Sequence, residues 1–169
     1  MSRFVTLLRR HGEPPPRLGL VPIALAAAGT AFAIAIVGFA TAWTGTPLVL
    51  GSFGASCVLV FSYPESPFSQ PRSVIGGHVI ASACGLVCLG LFGAEWWSMA
   101  LAAALAVAAM HLTRTVHPPA GSNPVIVMLT APGWQFLITP TLAGAVLLVA
   151  AALYFHAMVK GRVWPRYWL

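Results

Sequence analysis

The sequence predicts an all-α fold, a polytopic transmembrane helix bundle. Three observations predict it. The chain is 59% hydrophobic and only 7% charged, where an average soluble domain carries about 25% charged residues. Its apolar residues fall into six segments separated by Pro, Gly and Trp. Its positive charge gathers at the two ends. Nine basic and three acidic side chains cannot cover a soluble surface for 169 residues, which leaves an integral membrane protein.

Residues 1–17 form a polar arm with Arg3, Arg9, Arg10, Arg17 and a proline run. The first apolar stretch, about 18–43, is too long for the roughly 7–15-residue core of a secretion signal. It therefore reads as the first span, and its Ala and Gly content suits close helix packing. The second segment runs from Thr44 to Pro64, with Pro47 expected in the first helical turn. Its apolar core is only about 16 residues, or roughly 24 Å, against a hydrocarbon core of roughly 30 Å. The linker PESPFSQPR leads into a third helix, expected over 73–93. A fourth is expected over 97–113. The fifth opens at His117-Pro118-Pro119 and stops at Pro132, again short. The sixth covers about 136–159, and residues 160–169 form a basic, aromatic tail.

Residues 18–159 thus make one transmembrane domain. The second and fifth segments are both short, which suggests two three-segment repeats, about 18–93 and 97–159. Spacing agrees: Pro64 and Gly76 are twelve apart, as are Pro132 and Gly144. The basic ends place both termini in the cytoplasm under the positive-inside rule. Six crossings make the repeats inverted, a common transporter arrangement. Four crossings with re-entrant short segments are the alternative.

The chemistry-bearing stretch is HLTRTVHPPAGSNP. Two prolines open a helix without losing a needed donor, and a free helix N-terminus favours anions. Gly121 leaves room for a ligand, Ser122 and Asn123 add hydrogen bonds, and Arg114 and His117 add charge or further donors. In an inverted repeat, the second segment, with Ser52 and Ser56, would start opposite. A second cluster, Gln70, Arg72 and His78, lies within nine residues. His78 stands inside an apolar helix, where an ionisable group is a functional candidate. His156 reads as interfacial, the tryptophans as an aromatic belt, and Cys57, Cys84 and Cys88 as small buried hydrophobes. Hydrolase motifs, His spacing for a metal and a cofactor fingerprint are absent from the sequence, so neither a catalytic nor a metal site is expected. A nucleic-acid-binding module is likewise not expected.

SFGASCVLVFSYPESPFSQPRSVIGGH, followed about forty residues later by HPPAG, resembles the HPP family of integral membrane proteins. The resemblance covers about residues 18–159. It implies Gln70, Pro71, Arg72, Gly76, Gly77, His78, His117, Pro118, Pro119, Ala120 and Gly121 as the family's motif residues. The family is described with four spanning helices, in conflict with six segments. Members of plastids and cyanobacteria are associated with nitrite transport. The resemblance therefore implies a transporter or channel for a small inorganic anion, nitrite first. Ser122 and Asn123 depart from the small residues common after the motif. A bacterial inner membrane and a homo-oligomer, most simply a dimer, are expected. The rival readings are a scaffold subunit without transport and a membrane-embedded enzyme.

Overall fold

A computed structural model describes residues 16–168. Arg3, Arg9 and Arg10 of the expected basic arm lie outside the described residues. Six α-helices form a bundle, and no strand occurs among the described residues. They are α1 (Leu20–Thr44), α2 (Ser52–Ser62), α3 (Pro71–Phe92), α4 (Trp96–Leu112), α5 (Asn123–Thr130) and α6 (Ala143–Met158). Three stretches are long and apolar enough to cross a membrane: Leu20–Thr44, Pro71–Phe92 and Trp134–Met158. The six segments read from the sequence therefore exist, and the second and fifth are the shortest helices, 11 and 8 residues.

The contacts define two ends of the bundle. At the first end, an Arg72 amino group donates to the Thr113 carbonyl, joining the start of α3 to the end of α4. Arg162 donates to the Phe61 carbonyl, adding the end of α2 and the C-terminal tail. Gly29 of α1 packs against Phe61, and Phe32 stacks on Tyr154 at 5.9 Å, so the first half of α1 lies at this end too. At the second end, Ser98 of α4 donates to the Cys88 carbonyl of α3. Pro47, Thr130 and Gln135 line one cavity there.

The short helices are completed by non-α backbone. The chain runs irregularly from Gly45 to Gly51 before α2 begins. Pro47 therefore does not sit in the first helical turn, as its position suggested, but five residues before it. The fifth segment opens with a 3-10 helix, Pro118–Ser122, and becomes α-helical at Asn123. The sixth begins with 3-10 and π turns over 134–142, where Thr139 is extended at φ −132°, ψ 123°. Proline at 140 cannot donate to the ladder, which accounts for the irregular start.

Glycines set the tightest crossings. A Cβ on Gly77 would lie 2.7 Å from the His117 Cβ and 3.0 Å from the Thr115 carbonyl oxygen. A Cβ on Gly144 would collide with the Leu48 carbonyl and lie 2.7 Å from Phe53. Each long helix thus lets in the irregular lead-in of the other half's short helix: α3 admits 115–117, and α6 admits Leu48. That exchange is reciprocal between the first three segments and the last three.

The tail is part of the bundle. Trp164 is buried beside His156, with ring centroids 5.2 Å apart, and its indole N–H donates to the Ser69 carbonyl. The Arg166 backbone N–H donates to Gln70 Oε1, and its guanidinium pairs with Glu65. Two expectations are corrected here. Trp164 belongs to the core rather than the belt, although Trp43, Trp96, Trp97, Trp134 and Trp168 are exposed at segment ends. His156 is buried against Phe61 and Val60 rather than interfacial, because the tail covers it. Trp164→Ala should destabilise the bundle by about 3 kcal/mol, read as a lower midpoint of thermal unfolding in detergent; an unchanged midpoint would show the tail to be merely apposed.

Candidate functional site

The first residues of the two short helices touch. Ser52 opens α2 and Asn123 opens α5, and the Ser52 hydroxyl donates to Asn123 Oδ1 at 2.8 Å. From that contact α2 runs to the first end and α5 to the second. Two oppositely directed helix starts therefore meet inside the bundle.

Around them lies a wholly buried polar cluster of Ser52, Ser56, His78, Ser82, His117, Asn123 and Thr141. Helical spacing builds it. Ser52 and Ser56 are four apart on α2, and His78 and Ser82 are four apart on α3, so each pair shares one face. Asn123 Nδ2 lies 3.0 Å from His78 Nδ1, 2.9 Å from Ser82 Oγ and 3.3 Å from the His78 carbonyl oxygen. Ser82 pairs with Thr141 at 3.0 Å, which brings in the start of the sixth segment. Ser56 Oγ bridges the two histidines, 3.0 Å from His78 Nε2 and 2.8 Å from His117 Nε2. The imidazoles meet edge to face at 5.1 Å, and Phe53 closes His78 from the other side at 5.1 Å.

The hydrogens can be placed from groups that act in one way only. His117 Nδ1 faces the Phe68 carbonyl at 2.7 Å and must donate. Asn123 Nδ2 faces the His78 carbonyl, so the amide nitrogen points that way; its two hydrogens serve Ser82 Oγ and His78 Nδ1, and the longer contact to the His78 carbonyl is shared. His78 then carries its hydrogen on Nε2 and donates to Ser56. The Ser56 hydroxyl donates to His117 Nε2. The chain of bonds is directional, and every ring nitrogen in it is satisfied.

Two cavities flank the cluster. One, of ≈ 420 Å³ at the second end, is lined by Leu50 and Gly51, which lead into α2 just before Ser52, by Ile126 of α5, and by Gln135 of the sixth segment. The other, of ≈ 220 Å³ at the first end, is lined by Phe68, Ser73, Arg114, Val116 and Tyr167. Phe68 joins this second cavity to His117 through its carbonyl.

The residues expected from the sequence fall into three groups. Ser56, His78, His117 and Asn123 meet in the cluster. Arg72 and Arg114 stand at the first end, outside it: Arg72 bonds the Thr113 carbonyl, and Arg114 is exposed. The expectation that either supplies full charge at the motif helix is corrected, because helix α4 ends beside them and holds them at the rim. Gln70, Gly121 and Ser122 do not reach the cluster either. Gln70 is buried in the linker, donating to the Pro64 and Ser66 carbonyls. Ser122 is exposed and donates back to the Pro119 carbonyl, and a Cβ on Gly121 would meet nothing. Pro118 and Pro119 shape a 3-10 turn in which the Ala120 N–H donates to the His117 carbonyl and the Asn123 N–H to the Ala120 carbonyl, so these donors are not free for a ligand. Sequence reasoning missed Ser82 and Thr141 as cluster members. The four-residue spacing of Ser82 from His78 was the available signal; Thr141 had none, because a π turn orients it.

A model of the HPP family's transmembrane region matches residues 15–165. Two transmembrane proteins of Dictyostelium discoideum are similar. One is 34% identical over 131 residues, covering 73% of this chain and 42% of that protein; the other is 33% identical over 129 residues, covering 72% and 45%. The chain spans less than half the length of these relatives. No solved structure matches.

Proposed function

The chain belongs to the HPP transmembrane family, and on that footing we propose that this integral membrane protein is a transporter or channel for a small inorganic anion, nitrite first. One observation carries the reading: two oppositely directed helices start at the touching pair Ser52–Asn123, inside a buried polar cluster. Magnitudes explain why the cluster matters. One helix terminus contributes about 0.3–1 kcal/mol, or up to about 2 when partly buried. Two together still fall short of the several kcal/mol needed to dehydrate an ion. Hydrogen bonds to a charged group, at about 1.5–3 kcal/mol each, make up the rest, and the Ser52 hydroxyl, released from Asn123 Oδ1, is the first donor to hand. Nitrite takes hydrogen bonds on both oxygens and is small enough to replace the Ser52–Asn123 contact.

The two halves act as an inverted repeat, supported by the reciprocal Gly77 and Gly144 crossings. The first end faces the cytoplasm, supported by Arg17, Arg72, Arg114, Lys160, Arg162 and Arg166 against Glu95 at the other end. A bacterial inner membrane and a homo-oligomer, most simply a dimer, belong to the same reading. Alanines of α1 line an open outer groove with Val58 that suits a second copy.

The test is uptake by the purified chain in liposomes, comparing nitrite, nitrate, formate and chloride. Nitrite should enter fastest; equal rates with and without protein for all four would overturn the reading. In the same assay Arg114→Ala and Arg72→Ala, at the cytoplasmic rim, should not abolish flux. Arg114→Ala should slow it roughly tenfold at low salt, with the defect fading at high salt, as steering by a rim charge does. A salt-independent loss would return the arginine to the binding site itself.

A further inference from the structure

We propose that the cluster takes up one proton with each anion, on His117, and that transport is therefore an electroneutral co-transport. This rests on the anion reading above and names its coupling ion. The geometry that carries it is the position of Ser56. Its hydroxyl oxygen lies 2.8 Å from His117 Nε2, 3.0 Å from His78 Nε2 and also 3.2 Å from the Ser52 carbonyl oxygen. A hydroxyl has one hydrogen and two acceptor sites.

With one hydrogen on His117, at Nδ1 facing Phe68, Ser56 donates to Nε2 and accepts from His78. When a second proton binds at Nε2, that nitrogen becomes a donor. The Ser56 hydrogen then rotates to the Ser52 carbonyl, and the oxygen accepts from both imidazoles. No bond between heavy atoms is made or broken, and no heavy atom moves. Before and after, His117 Nδ1 donates to Phe68, and His78 keeps its Nε2 hydrogen and its Asn123 partner.

The positive charge formed needs a counter-charge. A lone buried charge is costly, and the groups that face His117 are neutral: Ser56 of α2, His78 and Gly77 of α3, and the Phe68 and Thr115 carbonyls. Cys57, next to Ser56, lies in the apolar core instead. Arg72 is tied to Thr113, and Arg114 lines the cavity beyond Phe68. An anion at Ser52 and Asn123 is the partner within reach, since Ser56 is one helical turn from Ser52. Anion and proton thus stabilise each other, and each is admitted with the other.

The experiment uses the full chain in liposomes loaded with a pH-sensitive dye, with nitrite outside. Protein-free liposomes run in parallel subtract entry of the free acid. One proton should enter per nitrite. A pH gradient of one unit should raise nitrite about tenfold inside, and an imposed potassium diffusion potential should not change that level. Ser56→Ala should break the ratio, and Ser56→Thr, which keeps the hydroxyl, should restore it. Nitrite uptake that follows voltage without protons would overturn the proposal while leaving anion transport standing. A ratio of one that survives in Ser56→Ala would overturn the role of the hydroxyl. Absence of any protein-dependent uptake would overturn both readings.

Discussion

Asn123→Leu should reduce nitrite uptake by at least a hundredfold while the protein still inserts. Leucine has the branching and the number of side-chain heavy atoms of asparagine, so the shape at this position changes little. The polar consequences are larger. Asn123 hydrogen-bonds Ser52, His78 and Ser82 together. Its loss strands His78 Nδ1 as a buried acceptor and leaves the Ser52 hydroxyl without its partner, at about 1–3 kcal/mol for each buried group. Measured couplings between membrane helices are often smaller, averaging about 0.6 kcal/mol, so about 2–4 kcal/mol in total is expected. The midpoint of thermal unfolding in detergent reads this term, and liposome uptake reads the other. Uptake at the wild-type rate would mean that the meeting of the two helix starts serves packing alone.

The second large effect lies in the paired glycines. Gly77→Val and Gly144→Val should each prevent stable assembly. At Gly77 the new side chain must push His117 and the Thr115 carbonyl away, and at Gly144 it must push the Leu48 carbonyl and Phe53. Backbone cannot yield as a flexible side chain does, so the cost should exceed the roughly 1–3 kcal/mol typical of overpacking. Gly54 is the control. A Cβ there meets nothing, and Gly54→Ala should be neutral or stabilise α2 by up to about 1 kcal/mol. Monodispersity on size-exclusion chromatography and thermal midpoints separate the three. Tolerance of valine at both tight positions would remove the support for inverted halves.

Much of the bundle was legible in the sequence because apolar segment length and Gly/Pro placement are direct consequences of the bilayer. Six segments, two of them short, follow from where Pro47, Pro64, Pro118 and Pro132 interrupt apolar runs. The same spacing paired Gly76 with Gly144; the tight backbone crossings lie at Gly77, one residue on, and at Gly144. Helix starts were less legible. Pro47 suits a first turn locally, but the chain stays irregular to Gly51, since Leu48 must fit against Gly144. The burial of His156 was hidden for a similar reason, because the tail that covers it is basic and aromatic and its buried ring, Trp164, looks like any interfacial tryptophan.

Within the candidate site, local spacing found His78, His117, Ser56 and Asn123. It also drew in Arg72, Arg114, Gln70, Gly121 and Ser122, which neighbour the motif in sequence but point elsewhere. A 3-10 turn explains the difference. It places Ser122 outward and Asn123 inward within one residue, where a regular helix begun at Pro118 would have turned a different face to the core.

The central claim is that the anion passes the point where the two short helices begin. Ser52→Cys, in a chain with Cys57, Cys84 and Cys88 replaced by Ala, puts a thiol at that point. A small methanethiosulfonate reagent should then block nitrite uptake, and nitrite present during labelling should slow the modification. If the thiol is fully modified and uptake continues unchanged, the path lies elsewhere and the account is contradicted.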